Sequence, residues 1–315
     1  MRSHFRTACF ALAFLLVQAV ATLPARCQEP AQLLRDPGFR LGVIVYDPAP
    51  GKLVERGTLK PLDLQSKPVW GLAQWSSRFT LADAARQPLA NGVACFADAA
   101  KAVTFGQPGT PDADLTLAIN ASKEYGDHLR TQKDPWPHLL VQQSIEKRPA
   151  IVQLKQLRFH IEYRLKHSIA ARPEDLNPSL HAAQFQAFLT IQNLNRQSPG
   201  FGDYVWFGIP LYDNRHRIPS AHMAYDAGTG KFIYTPPGQT YTDRSAHDRQ
   251  WITIDRDLLP LIHQALEKAW AEGYLKDSRN VNDYRVSEFN IGWELPGPFD
   301  VAMQIRNLSL EARSE

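Results

Sequence analysis

The chain has 315 residues, 35 Lys and Arg against 32 Asp and Glu, and a formal net charge of +3. This nearly neutral balance, without a basic block, argues against nucleic acid as a partner. A hydrophobic share of 44% supports a substantial core, in one large β-domain or two small domains.

The chain opens "MRSHFRTACFALAFLLVQAVATLPARCQEP", two arginines ahead of an apolar run from Ala8 to Val20, with Ala19 and Ala21 as a small-x-small cleavage site. The pattern predicts a secretory signal peptide over 1–21. The run is too short for a membrane span, and Arg26 before Cys27 is a poor lipoprotein box. A secreted or periplasmic protein is expected, with no membrane contact once the signal is removed. Cys9 leaves with the signal, so Cys27 and Cys95 remain as a possible single disulfide. There is no Cys-x-x-Cys or His-x-x-x-His spacing, and neither a metal nor a cofactor is expected.

Residues 22–60, rich in Pro and Gly around one apolar run "LGVIVY", read as an N-terminal arm or first strand, and 61–315 as one domain. From Trp70 onward short apolar runs alternate with Gly, Pro, Asn and Asp, without repeats, which predicts an all-β sandwich. "KDPWPHLLVQQ" sets Trp136 and His138 at the start of a strand; His138 reads first as a hydrogen-bonded strand-end residue and second as a general base. In "LRFHIEYRL", Leu157, Phe159, Ile161, Tyr163 and Leu165 alternate with Arg158, His160, Glu162 and Arg164, giving one buried face. "QFQAFLTIQN" places Phe185, Ala187, Leu189 and Ile191 on one side, with Gln184, Gln186, Phe188, Thr190 and Gln192 on the other. "DYVWFGIPLYDNR" directs Val205, Phe207, Ile209 and Leu211 one way, Tyr204 and Trp206 the other, and ends in a turn at Asp213 and Arg215.

"YDAGTGKF" predicts a hairpin with too few carboxylates for a calcium loop. "DLLPLIHQALEKAWAEG" predicts a single late helix, capped by Asp257, with Pro260 in its first turn, Leu258, Ile262, Leu266 and Trp270 as its apolar stripe, and Gly273 at its end. In "SEFNIGWE", Phe289, Ile291 and Trp293 share a side, opposite Glu288, Asn290 and Glu294. Asn307 interrupts the last strand as a bulge would.

Four strands thus carry a second face of Arg, His, Gln, Asn, Tyr and Trp, where a solvated sheet usually collects Lys, Glu and Thr. Planar donors and acceptors match sugar hydroxyls, and flat aromatic surface matches the C–H face of a pyranose. A plain alternative is that these side chains only cover the sheet.

The order of elements resembles glycoside hydrolase family twelve, the compact jelly-roll β-glucanases among the concanavalin-like sandwiches, over roughly 68–312. Trp70-Gly71 in "PVWGLAQW" looks like that family's substrate-side Trp-Gly; "FHIEYRLK" then "FQAFLTIQ" sit where the family has a Tyr-Asp strand and a Tyr-Glu strand; "FNIGWELPGPFDVAMQIRNLSL" looks like its Gly-x-Glu strand. The resemblance implies an all-β concanavalin-like sandwich and puts Glu294 at the general acid/base. It also puts Gln186 at the nucleophile and Arg164 at the supporting aspartate, and a neutral Gln cannot form a glycosyl-enzyme ester. Three readings follow. The first is a polysaccharide- or oligosaccharide-binding protein that has lost hydrolysis, contacting its ligand through Trp70, Trp75, His160, Arg164, Gln186, Gln192, Tyr204 and Trp206. The second is a hydrolase in which Glu162 and Glu294 flank one cleft. The third is a lyase in which Arg158, His160, Arg164 and Tyr204 neutralise a uronate.

Overall fold

The computed structural model describes residues 29–314 apart from 108, 111 and 227–229. The expected signal peptide and Cys27 lie outside the described residues, and Cys95 is a free, half-buried thiol. The chain begins with β1 (Ala31–Gln32), β2 (Val43–Tyr46), β3 (Glu55–Leu59), β4 (Trp70–Ala73), β5 (Gln87–Pro88), β6 (Ala94–Ala97), β7 (Lys101–Phe105) and β8 (Leu115–Asn120). A short helix α1 (Ala121–Tyr125) precedes β9 (His138–Ser144), β10 (Leu154–Ala170), β11 (Gln184–Asn193) and β12 (Tyr204–Asp213). Then come β13 (His222–Asp226), β14 (Lys231–Thr235), β15 (Ile252–Asp257), the helix α2 (Leu259–Ala271), β16 (Tyr284–Glu294) and β17 (Phe299–Ser314).

Two sheets result, a mostly-β sandwich with one long helix, as the alternation predicts. Sheet A runs β15-β10-β17-β8-β7-β6-β5, with β1 paired to β17; sheet B runs β13-β14-β12-β11-β16-β9-β4-β2-β3. The inward residues of β10 are buried as expected, and the ring of Phe159 lies 6.2 Å from Phe289 of β16 across the sandwich. Trp293 spans the same gap, its Nε1 donating to the Leu117 carbonyl of β8 at 2.9 Å. Each such buried side chain contributes about 1.5–3 kcal/mol. Asp257 helps to cap α2, accepting from the Leu259 amide at 3.1 Å, while Ile262, Leu266 and Ala269 face the core.

Within the stretch read as an arm or first strand, the apolar run forms a strand. β2 lies parallel to β4 and antiparallel to β3 inside sheet B, with Val43, Val45 and Leu59 fully buried. Its partner β4 is brought beside it only by folding, so a four-residue apolar run reads equally well as arm or strand.

Two irregularities set which residues face outward. In β17 the register with β10 slips so that His160 lies opposite Ser309 but Glu162 opposite Arg306, and Asn307 takes φ +53°, the bulge expected there. In β12 it slips between Tyr212 and Pro210, which turns the Tyr212 ring inward onto Trp293, 5.8 Å away. Among the described residues no helix is long and apolar enough to cross a membrane.

Candidate functional site

Since β10 and β16 meet through the core, their polar faces point in opposite directions. The outward face of sheet B carries the candidate site. Register aligns Asp213, Gln184, Glu294 and His138 in one row; Pro210, Gln186, Gly292 and Leu140 in the next; and Gly208, Phe188, Asn290, Gln142 and Gly71 in a third. Gln142, Gln186 and Asn290, on three neighbouring strands, make no side-chain hydrogen bond to any described residue. Beyond them Trp206 packs against Tyr204 and Phe188, with ring centroids 5.9 and 6.0 Å apart. Gln192 donates to the Gly202 carbonyl at 3.2 Å.

Glu294 also has no hydrogen bond or ion pair among the described residues. Burial, joined by the negative charge of Asp226, pushes its carboxyl up to about 7. At neutral pH it is divided between acid and carboxylate, the condition of a proton donor. Its cross-strand neighbour His138 moves the other way: burial lowers the imidazole to about 4, against the opposing pull of the Trp136 and Trp75 carbonyls. His138 Nδ1 lies 2.9 Å from the Trp136 carbonyl oxygen.

Trp75 and Trp136 close this end of the face. Their indole nitrogens are buried without a partner, as is Oδ1 of Asn290. Leaving such a group unpaired costs about 1–3 kcal/mol. A cavity of about 270 Å³ opens alongside, lined by Ser76, Arg78, Tyr125, His128, Pro135 and Pro137 among others. The segment after Trp75 is anchored from behind by Lys101, whose fully buried ammonium lies 2.9 Å from Asp98 and 3.3 Å from Glu124 and also donates to the Phe79 carbonyl at 2.9 Å. Among the described residues no cluster of His, Cys, Asp and Glu has the makings of a metal site.

Several residues expected at the site lie elsewhere. Trp70 is wholly buried in the core, its Nε1 donating to the Asp36 carbonyl at 2.8 Å and its ring 4.8 Å from Phe39, so it offers no surface to a ligand. Glu162, His160 and Arg164 project from the outer face of sheet A, separated from Glu294 by the whole core, and packed sheets lie about 10 Å apart. Glu162 is held by Arg306 at 2.7 Å and Asn307 at 2.8 Å; burial would raise its pKa, but these bonds outweigh it and leave it lowered. Arg164 donates to Gln304 at 2.7 Å and lies 4.7 Å from the Trp251 ring centroid, while His160 faces Asp255 at 3.7 Å. Glu162 and Glu294 therefore cannot flank one scissile bond, and no uronate reaches Arg164 and Tyr204 together. Trp75, Gln186, Gln192, Tyr204 and Trp206 share the face of Glu294, joined by Gln142, Asn290, Trp136 and His138. The alternation that carries Glu294 already put Asn290 beside it. Gln142 had the same signal two residues from Leu140.

No family model matches the chain, and no curated protein matches it. Among solved structures it is similar to a meso-active thermostable cellulase derived from a Rhodothermus marinus cellulase, at 11% identity and a TM-score of 0.40, over 78% of this chain and 100% of that one. It is likewise similar to a family 12 xyloglucanase from Bacillus licheniformis, at 11% identity and a TM-score of 0.40, over 73% of this chain and 97% of that one. A family 11 xylanase from Neocallimastix patriciarum gives 8% identity and a TM-score of 0.34, over 72% and 94%.

Proposed function

We propose that this protein is a secreted carbohydrate-binding protein that holds a polysaccharide along the outward face of sheet B, in a cleft laid out like a glycosidase's but with the neutral Gln186 where its nucleophilic carboxylate would stand. One observation supports this most: Gln186, Asn290 and Gln142 stand side by side with unused donors and acceptors, between Trp206 at one end and Trp75 and Trp136 at the other. Amides bond sugar hydroxyls from both sides, and indole rings cover the apolar face of a pyranose. Retaining hydrolysis needs two carboxyl groups about 5 Å apart across the scissile bond. The row that holds Glu294 and the row that holds Gln186 contain two carboxyls, Glu294 and Asp213, and Asp213 is taken up by Arg215 at 2.6 Å and Gln184 at 2.9 Å, which leaves Glu294 as the unpaired one. A signal peptide over 1–21 directs such a protein to glycans outside the cytoplasm.

The test is migration of the purified protein in native gels containing β-glucan or xyloglucan, together with an assay for reducing sugar. Retardation without sugar release is expected; free migration on every polymer overturns the reading. A second reading, hydrolysis with Glu294 as general acid/base, has a specific observation in its favour, the carboxyl poised at about 7. Sugar release that disappears in Glu294→Gln replaces the first reading with the second. The lyase reading has lost its cation cluster to sheet A.

A further inference from the structure

The two buried indole nitrogens are not explained by a flat binding face. Trp75 and Trp136 come from different segments and converge on one imidazole. The ring of His138 stands edge-on to Trp75, with centroids 5.8 Å apart and planes at 63°, and nearly parallel to Trp136, at 5.8 Å and 27°. Backbone and charge fix this convergence. The His138 amide donates to the Trp75 carbonyl at 2.9 Å. The Arg130 guanidinium lies 4.8 Å from the Trp136 ring centroid and is itself tied to the Asp134 and Leu180 carbonyls.

A carbonyl oxygen only accepts, so in the bond to Trp136 it is Nδ1 of His138 that carries the hydrogen. That leaves Nε2 with a bare lone pair, and Nε2 has no hydrogen-bond partner among the described residues. Glu294 lies directly opposite in the ladder, where side chains on one face have Cβ atoms about 5 Å apart. Two fixed donors, one fixed acceptor and one carboxyl that both donates and accepts are thus gathered at one end of the face. Neighbouring hydroxyls on a pyranose demand that mixture, each being donor and acceptor at once. The cavity of about 270 Å³ nearby is lined by Ser76, Pro135 and Pro137, next in the chain to the two indoles, and not by Trp75, Trp136, His138 or Glu294 themselves.

We infer that Trp75, Trp136 and His138 form with Glu294 a subsite for a sugar ring, in which Nε2 of His138 accepts from a ligand hydroxyl and the two indole N–H groups donate to ligand oxygens. The inference rests on the polysaccharide reading of the face, and its test separates the two. In ¹⁵N-labelled full-length protein, the indole N–H resonances, assigned through Trp75→Phe and Trp136→Phe, are followed during titration with cellohexaose and with xylohexaose. The signals of Trp75, Trp136 and Trp206 are expected to move together with one oligosaccharide. His138→Phe, which removes the acceptor, lowers affinity about tenfold, whereas His138→Gln, which keeps one, stays within about threefold of wild type. If Trp206 moves while Trp75 and Trp136 stay still, water fills the subsite and the inference fails with the cleft intact. If none of the three moves with either sugar, cleft and subsite fall together. Should His138→Phe not fold, the wild-type titration alone decides.

Discussion

On the outer face of sheet A, Arg158 is bound by Asp255, Glu162 by Arg306 and Asn307, and Arg164 by Gln304, while Trp251 lies under both Arg164 and Arg306. On the outward face of sheet B, Gln142, Gln186, Asn290 and Glu294 have none of this. The two faces draw on similar side chains, Arg and Gln with Trp, Glu and His. Composition therefore does not distinguish a covered surface from a site; what distinguishes them is whether the polar groups use up one another's bonding capacity. Sheet A's polar groups are closed on one another, whereas these four on sheet B are unpaired among the described residues.

That contrast is broken or sharpened by four measurements. The largest effect is expected for Trp206→Ala, which should weaken polysaccharide binding about a hundredfold in affinity electrophoresis, whereas Trp251→Ala on the other sheet should leave it within about twofold. Equal losses from both would erase the distinction.

Next comes stability against pH. Glu294 has its pKa raised on folding, so the native state is favoured in acid and loses ground as pH climbs from the ordinary carboxylate value through about 7. Glu294→Gln should accordingly be more stable than wild type at pH 8, by about 2–3 kcal/mol, and nearly equal at pH 4, in thermal or urea unfolding. Glu162 titrates with the opposite sign, because its lowered pKa favours the native state above the ordinary value and loses that support as pH falls. Glu162→Gln should cost about 1–2 kcal/mol at pH 7, by leaving Arg306 without its carboxylate, and should not alter glycan binding. The smallest effect belongs to Asp255→Asn: both partners of the Arg158 pair are close to half exposed, and the loss should stay below about 1 kcal/mol and shrink in salt.

Much of this was legible from residues alone. Period-two alternation identified the inward faces of β10, β11, β12 and β16, and the helix signals around Asp257 and Gly273 bracketed α2. Alternation states that a strand has two faces but not which sheet it joins. β10 and β11 follow one another in the chain, yet β10 pairs with β17 and β11 with β16, so the outer faces read as one surface were two. Trp70 shows the limit of a motif: the Trp-Gly resemblance implies a substrate-side ring, while the fold buries Trp70 in the core against Phe39. His138 was visible as a strand-end residue. Its position opposite Glu294 depends on β9 pairing with β16, which no local pattern records.

The buried Lys101 has a consequence for how the open face works. By clamping Ser77 and Phe79 from behind, it fixes the backbone that carries Trp75, and Arg130 does the same for Trp136. An aromatic wall held this way is preorganised. A ligand that docks against it forfeits little freedom of the protein, so more of the contact energy appears as affinity, and selectivity follows from a shape that does not adjust.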